Sequence, residues 1–64
     1  MHSFILIYHI NYGDGTKTKT RSTAEAYQGE TLTDAWQEFL STRKWYTPEE
    51  AAKIFFLEDW KIIT

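Results

Sequence analysis

Apolar side chains crowd the start of the chain, and an alternation of hydroxyl groups and cations follows them. Residues 3–12, SFILIYHINY, are rich in β-branched and aromatic types and predict a strand. Residues 13–15, GDG, are typical of a turn, and residues 16–27 are predicted to form the returning strand. The chain therefore opens with a predicted β-hairpin.

The length of this turn decides which side chains of the hairpin share a face. A two-residue loop, Asp14-Gly15, would place every cation of the returning strand on the aromatic face of the first strand. A three-residue loop, Gly13 to Gly15, shifts the register by one residue and places threonines there instead. We predict the three-residue loop, with Gly15 in the left-handed conformation, because hydrophobic burial favours it. The opposite face of the sheet then carries Lys17, Lys19 and Arg21 beside His9.

The middle of the chain has the period of an amphipathic helix. Thr31 and Asp34 have the spacing of a capping box, with Thr31 at the N-cap. The apolar residues that follow lie three and four positions apart and form one stripe: Leu32, Ala35, Trp36, Phe39 and Leu40. We predict a helix of about three turns that ends near Lys44.

A second helix start occurs at residues 47–50, TPEE. Thr47 has the position of an N-cap, Pro48 that of the first helical residue, and Glu50 closes the capping box. We predict a short helix to about Leu57, a turn at Glu58-Asp59 and a strand over residues 60–63.

These elements predict a single α+β domain over residues 1–64. Its order is β-β-α-(short α)-β, a three-stranded antiparallel sheet with one main helix packed on one face. The helix stripe should pack on alternate residues of the first strand, namely Phe4, Leu6, Tyr8 and Ile10. The reverse face keeps apolar residues as well, which favours a partner there.

Composition strengthens the expectation of a partner. A chain of 64 residues buries a small core, and without cysteine it has no disulfide to stabilise it. Three Trp, four Tyr and four Phe are many for this length and favour association through aromatic side chains. We predict no metal site and no cofactor, because the two histidines do not have ligand spacing.

The chain also lacks the usual marks of catalysis and of export. No acid–base pair, no Ser/His/Asp arrangement in context and no phosphate-binding glycine loop is recognisable, so we expect neither an enzyme nor a small-molecule substrate. The apolar start has no basic region before it and is too short for a membrane span. We therefore expect a cytoplasmic protein that does not contact membranes.

Charge separates the chain into two halves, with net charges of +1 over residues 1–29 and −3 over residues 30–64. Carboxylates one helical turn apart are separated by about 6 Å, close to the spacing of successive phosphates on a nucleic acid. An acidic edge that imitates a phosphate backbone is therefore one candidate surface: Glu30, Asp34, Glu38, Glu49 and Glu50. Helix capping alone also accounts for acidic residues at these positions.

Two further candidate surfaces are aromatic and basic. Trp45 and Tyr46 lie between the two helix signals, where a tryptophan is hard to bury, so we expect them at an interface. The alternating cations are compatible with the solvated face of an exposed strand or with a small nucleic-acid-binding protein. In the second case the contacts would be Lys17, Lys19, Arg21 and His9.

The stretch GETLTDAWQEFL, followed by TPEEAAKI, resembles the small dimeric phage proteins that inhibit uracil-DNA glycosylase. The resemblance implies a homodimer that mimics DNA and occupies the DNA-binding cleft of this enzyme in a host bacterium. Glu30, Asp34 and Glu38 would replace phosphates, and Trp36 and Leu40 would help to line an apolar pocket at the dimer. An anti-restriction or anti-CRISPR inhibitor fits the same residues, and a dimerisation module is a further alternative.

Overall fold

The first strand of the sheet lies at its centre and pairs on both sides. In this computed structural model, which describes residues 1–64, the elements in chain order are β1 (His2–Ile10), β2 (Arg21–Ser22), β3 (Tyr27–Gly29), α1 (Leu32–Ser41), α2 (Pro48–Ile54) and β4 (Phe55–Ile62). All strand pairs are antiparallel; β2 and β3 follow one side of β1, and β4 follows the other. The predicted α+β class is confirmed. Neither helix is long and apolar enough to cross a membrane.

The hairpin has the predicted three-residue loop. Asn11 faces Lys17, and the N–H of Tyr12 donates to the carbonyl of Thr16 at 3.1 Å. Gly13 and Gly15 have φ of 85° and 92°, a region that glycine enters without the steric cost of a Cβ. The loop chemistry thus sets the register at the tip of the hairpin.

Further from the tip, the predicted second strand is divided into β2 and β3. Here two N–H groups of β1 donate to threonine hydroxyls instead of backbone carbonyls. Thr18 Oγ1 accepts the N–H of Ile10 at 2.9 Å, and Thr23 Oγ1 accepts the N–H of Leu6 at 3.1 Å. The register slips by one residue between these points, so Tyr8 faces Arg21 rather than Thr20. Because one residue of slip exchanges the faces, the predicted position of Arg21 on the reverse face is wrong.

The core lies between β1 and the helices, as the helix stripe predicts. Its nine buried residues are Phe4, Leu6, Tyr8, Ile10, Ala35, Phe39, Leu40, Ala51 and Phe55. Leu40 is only 1 % exposed, so the prediction that it contacts a partner is wrong for the folded chain. Burial of its side chain supplies folding free energy, about 2 kcal/mol for a leucine.

Helix α1 ends at Ser41 rather than near Lys44, because side chains take the carbonyls of its last turn. The hydroxyl of Thr42 donates to the carbonyl of Phe39 at 2.9 Å, and Nε of Arg43 donates to the same carbonyl at 3.0 Å. Such bonds satisfy the acceptors that a helix end leaves without partners.

The prediction for residues 55–59 is wrong in two respects. Helix α2 ends at Ile54, and β4 begins at once with Phe55, which pairs with Ile10 and is buried. The predicted turn at Glu58-Asp59 is a bulge inside β4, where the pairing with β1 shifts between Ile7 and Tyr8. Pairing with a distant strand therefore overrides the local helical pattern.

We expect Thr47→Ala to lower the free energy of unfolding by about 1 kcal/mol, the usual cost of losing an N-cap. Thr47 Oγ1 accepts the N–H of Glu50 at 3.2 Å, and the Glu50 carboxylate accepts the N–H of Thr47 at 3.0 Å. Urea unfolding at neutral pH measures the effect, with Thr33→Ala on an exposed turn of α1 as the control. Equal stability of the Thr47 variant and the wild type would contradict it.

Candidate functional site: a carboxylate row and a cationic cleft

One exposed carboxylate lies just before α1 and two lie on it, and we call Glu30, Asp34 and Glu38 the carboxylate row. The N–H of Asp34 donates to the N-cap hydroxyl of Thr31 at 3.3 Å, which fixes the first turn of α1. Glu38 follows one turn later, about 6 Å along the axis. Helix α1 therefore holds at least two of the three groups on a rigid support.

The carboxylate row is almost free of neutralising cations. Only Glu30 has one within 4.0 Å, the terminal ammonium of Met1 at 3.8 Å, and both of these groups are largely exposed. Asp34 and Glu38 form no ion pair in the chain. Their negative charge is thus available to an external cation.

A shallow hollow of about 410 Å³ adjoins Glu38. It is lined by Met1, Ala26, Tyr27, Gln28 and Glu38, and the Met1 side chain is exposed beside it. Its lining mixes three hydrophobic residues with Gln28 and Glu38, so the hollow is open and partly polar. Trp36 is not among its lining residues; it is half-buried, and its ring stacks on Phe39 with centroids 5.0 Å apart.

The remaining predicted acidic residues lie on α2 rather than in the carboxylate row. The Glu50 carboxylate is occupied by its capping box, and the hydrogen bond from the Thr47 backbone holds the pKa of Glu50 below its ordinary value. Glu49 is exposed on the first turn of the same helix. The residues grouped as one candidate acidic edge thus belong to two segments, one at α1 and one on α2, as the two predicted helix starts imply.

At the other end of α1, an open cleft of about 320 Å³ combines cations with aromatic rings. We call it the cationic cleft, and its lining residues are Tyr8, Ile10, Tyr12, Arg21, Arg43, Lys44, Trp45, Tyr46 and Phe55. The register slip in the hairpin brings Arg21 to this face. Tyr46 packs its ring on Phe55 with centroids 5.9 Å apart, which anchors the loop that carries Trp45.

Arg43 has a fixed position at the edge of the cationic cleft. Its Nη2 donates to Tyr27 Oη at 2.9 Å and to Thr42 Oγ1 at 3.1 Å, and its guanidinium carbon lies 3.9 Å from the centroid of the Phe39 ring. Nη1 makes no hydrogen bond within the chain, so two of its five N–H donors are available.

The reverse face of the sheet does not assemble the predicted basic surface. His9 stacks on Phe56 with centroids 5.3 Å apart, and its Nδ1 lies 3.5 Å from the Glu58 carboxylate. The hydroxyl of Thr20 donates to Glu58 at 2.6 Å and is the main cause of the lowered pKa of this carboxylate. A carboxylate beside His9 opposes phosphate binding there. Lys17 and Lys19 are exposed, and Arg21 lies across the sheet.

Of the nine residues that line the cationic cleft, the sequence prediction named only Arg21, Trp45 and Tyr46 as candidate site residues. Tyr12, Arg43 and Lys44 are the members outside the buried core that it missed. One signal was available, since residues 43–46 read RKWY and place two cations directly before two aromatic residues. Tyr12 gave no such signal, because its meeting with this loop depends on how the hairpin packs against the helices.

Comparison with protein-family models, with characterised proteins and with solved structures finds no match to this chain. No group of three or more His, Asp or Glu side chains is arranged to hold a metal ion. The functional argument therefore depends on the geometry of the two surfaces.

Proposed function

We propose that this protein is a non-enzymatic inhibitor that binds and blocks a nucleic-acid-processing enzyme, with uracil-DNA glycosylase of a bacterial host as the specific target. The observation that carries the proposal is the carboxylate row, whose members Asp34 and Glu38 are exposed and unpaired. An enzyme that binds DNA presents cations toward the phosphate backbone, and charge complementarity attracts the row to them. A restriction nuclease or a CRISPR effector offers the same kind of surface.

Two features of α1 favour tight binding over a loose electrostatic contact. The helix is fixed to the core by Ala35, Phe39 and Leu40, so little conformational entropy is lost when Glu38 meets a partner. The open hollow beside Glu38 offers room for a protruding side chain of the enzyme against Met1, Ala26 and Tyr27. Charge and apolar contact would thus act together at one place.

The proposed inhibitor is a homodimer that forms through β4. This strand is an edge of the sheet, paired only with β1, and its Trp60 and Ile62 are exposed. The N–H of Ile63 donates inward to Ser3, so by alternation the backbone groups of Trp60 and Ile62 face outward. An unpaired apolar edge is a template for a second strand.

Charge selects the register of this dimer. If Trp60 meets Trp60 of a second copy, Asp59 lies opposite Lys61 of that copy, and the two-fold axis repeats the pair. A shifted register that pairs Asp59 with Asp59 of the second copy, or Lys61 with Lys61, places like charges opposite each other. In the isolated chain Asp59 accepts the N–H of Trp60 at 2.8 Å, and dimerisation exchanges this bond for one to the Trp60 carbonyl of the second copy.

The dimer is tested by exchanging its charges. We expect Lys61→Asp to weaken self-association by about tenfold, because two attractive pairs become repulsive. The double variant Asp59→Lys/Lys61→Asp should restore the wild-type dissociation constant in sedimentation equilibrium. A double variant as weak as the single one, or a monomeric wild type, would contradict this register.

The target is tested with purified uracil-DNA glycosylase and a uracil-containing oligonucleotide. The proposal expects excision to stop once this protein is in several-fold molar excess over the enzyme. Undiminished excision at that ratio would remove uracil-DNA glycosylase as the target. The same assay with a restriction nuclease then tests the wider class.

A further inference from the structure

The cationic cleft exposes aromatic surface that the fold does not use. Trp45 keeps 80 % of its surface exposed, the highest value among the large apolar side chains, and Tyr12 keeps 53 %. Lys44 Nζ lies 5.2 Å from the centroid of the Trp45 ring, close enough for a cation–π contact with one face of the indole. The other face of this ring is a free stacking surface.

The cations of the cleft form no ion pairs within the chain. Arg21, Arg43 and Lys44 have no carboxylate within 4.0 Å, because the two ion pairs of the chain lie elsewhere. Arg43 is held in place with its two Nη1 donors free, so an anion that arrives there meets an oriented cation with two N–H groups to donate.

From these observations we propose that the cationic cleft binds single-stranded nucleic acid, with one base stacked on Trp45 and the adjacent phosphates held by Arg21, Arg43 and Lys44. A planar base joined to a phosphate is the chemistry that uses both the aromatic and the cationic parts of the cleft. An acidic peptide would use only the charges. Bases in a duplex are stacked on each other and are not available to Trp45.

The size of the cleft agrees with this ligand. Its volume of about 320 Å³ is at the lower end of the range for small-ligand sites and suits one nucleotide unit. Its open form lets a strand enter and leave on either side. Three cations imply about three phosphate contacts, hence modest affinity and a slope of about −2 for the logarithm of affinity against the logarithm of salt.

This site is separate from the proposed inhibitor surface, since it shares no residue with the carboxylate row or its hollow. The variants Trp45→Ala and Arg21→Ala should therefore leave inhibition of an enzyme unchanged. Arg43 is not substituted, because it donates to Tyr27 Oη and Tyr27 lines the hollow. Failure of either proposal can be recognised without the other.

The test is a fluorescence anisotropy titration of a labelled oligothymidylate at low salt with the full-length chain. We expect Trp45→Ala to weaken binding by about tenfold, since stacking of one base contributes about that much. Arg21→Ala should weaken binding and reduce the salt slope by about 0.7, the value for one phosphate on a single strand. Lys19→Ala is the matched control, because it removes an exposed cation of the same hairpin that does not line the cleft.

Two competitors decide what the cleft recognises. Unlabelled oligothymidylate should displace the label. Heparin has anionic groups but no bases, so more heparin should be needed to displace the label from the wild type than from the Trp45 variant. Equal heparin concentrations for the two proteins would mean that charge alone acts. Four outcomes would each overturn the proposal. Heparin could displace the label equally from the wild type and the Trp45 variant, or thymidine monophosphate could displace it as well as oligothymidylate does. Lys19→Ala could weaken binding as much as Arg21→Ala, or no binding could be found at low salt. Thermal melts of the variants that match the wild type confirm that the loss is local.

Discussion

Replacement of Phe39 by alanine is expected to leave the protein largely unfolded at room temperature. Phe39 is fully buried, and four aromatic rings have their centroids within 6 Å of its own: Tyr8, Tyr27, Trp36 and Phe55. Loss of a buried phenylalanine side chain costs about 3 to 5 kcal/mol. A single core in a chain this short and without disulfides supplies about 3 to 5 kcal/mol of stability, so the substitution removes most of it.

Circular dichroism with urea titration measures this effect, and Phe56→Ala is its matched control. Phe56 has the same chemistry but lies on the reverse face with 42 % of its surface exposed. Its replacement should cost less than about 1.5 kcal/mol. A Phe39 variant that unfolds as late in urea as the Phe56 variant would show that the aromatic cluster is not the centre of stability.

The second large effect concerns the carboxylate row, where Glu38→Lys should weaken enzyme inhibition by about a hundredfold. Loss of one partner from a buried charge pair at an interface costs about 2 to 5 kcal/mol, and the new cation would also repel those of the enzyme. Glu38 is exposed and has no ion pair in the chain, so the fold should tolerate the change. Lysine in the second half of α1 also interacts favourably with the helix dipole.

Glu25→Lys is the matched control, since it makes the same charge change at an exposed glutamate outside the carboxylate row. Inhibition constants from uracil-excision assays at fixed ionic strength compare the two variants. Equal losses for both would mean that net charge acts rather than a defined row, and no loss for Glu38→Lys would place the contact elsewhere.

Local chemistry was sufficient to predict several parts of the fold. The cap at Thr31, the capping box at Thr47 and the three-residue loop all depend on residues within a few positions of one another. The helical stripe also predicted the side of α1 that packs on β1. These features are recoverable because the interactions that stabilise them are short-range in sequence.

The parts that sequence reasoning missed depend on contacts between distant residues. Residues 55–57 form a strand because they pair with Tyr8, His9 and Ile10, whereas their local pattern suits a helix equally well. The slip that moves Arg21 follows from threonine hydroxyls that replace backbone acceptors, which no periodicity reveals. The cationic cleft was missed for this reason, while the carboxylate row was found because helical spacing defines it.

The proposed mimicry of DNA is tested most directly by measuring inhibition of uracil-DNA glycosylase as the concentration of DNA substrate is raised. Mimicry requires that this protein and DNA exclude each other from one cleft. The apparent inhibition constant should therefore increase in proportion to substrate, with kcat unchanged at saturating DNA. An inhibition constant independent of DNA, a reduced kcat at saturation, or no inhibition at any substrate concentration would contradict the account.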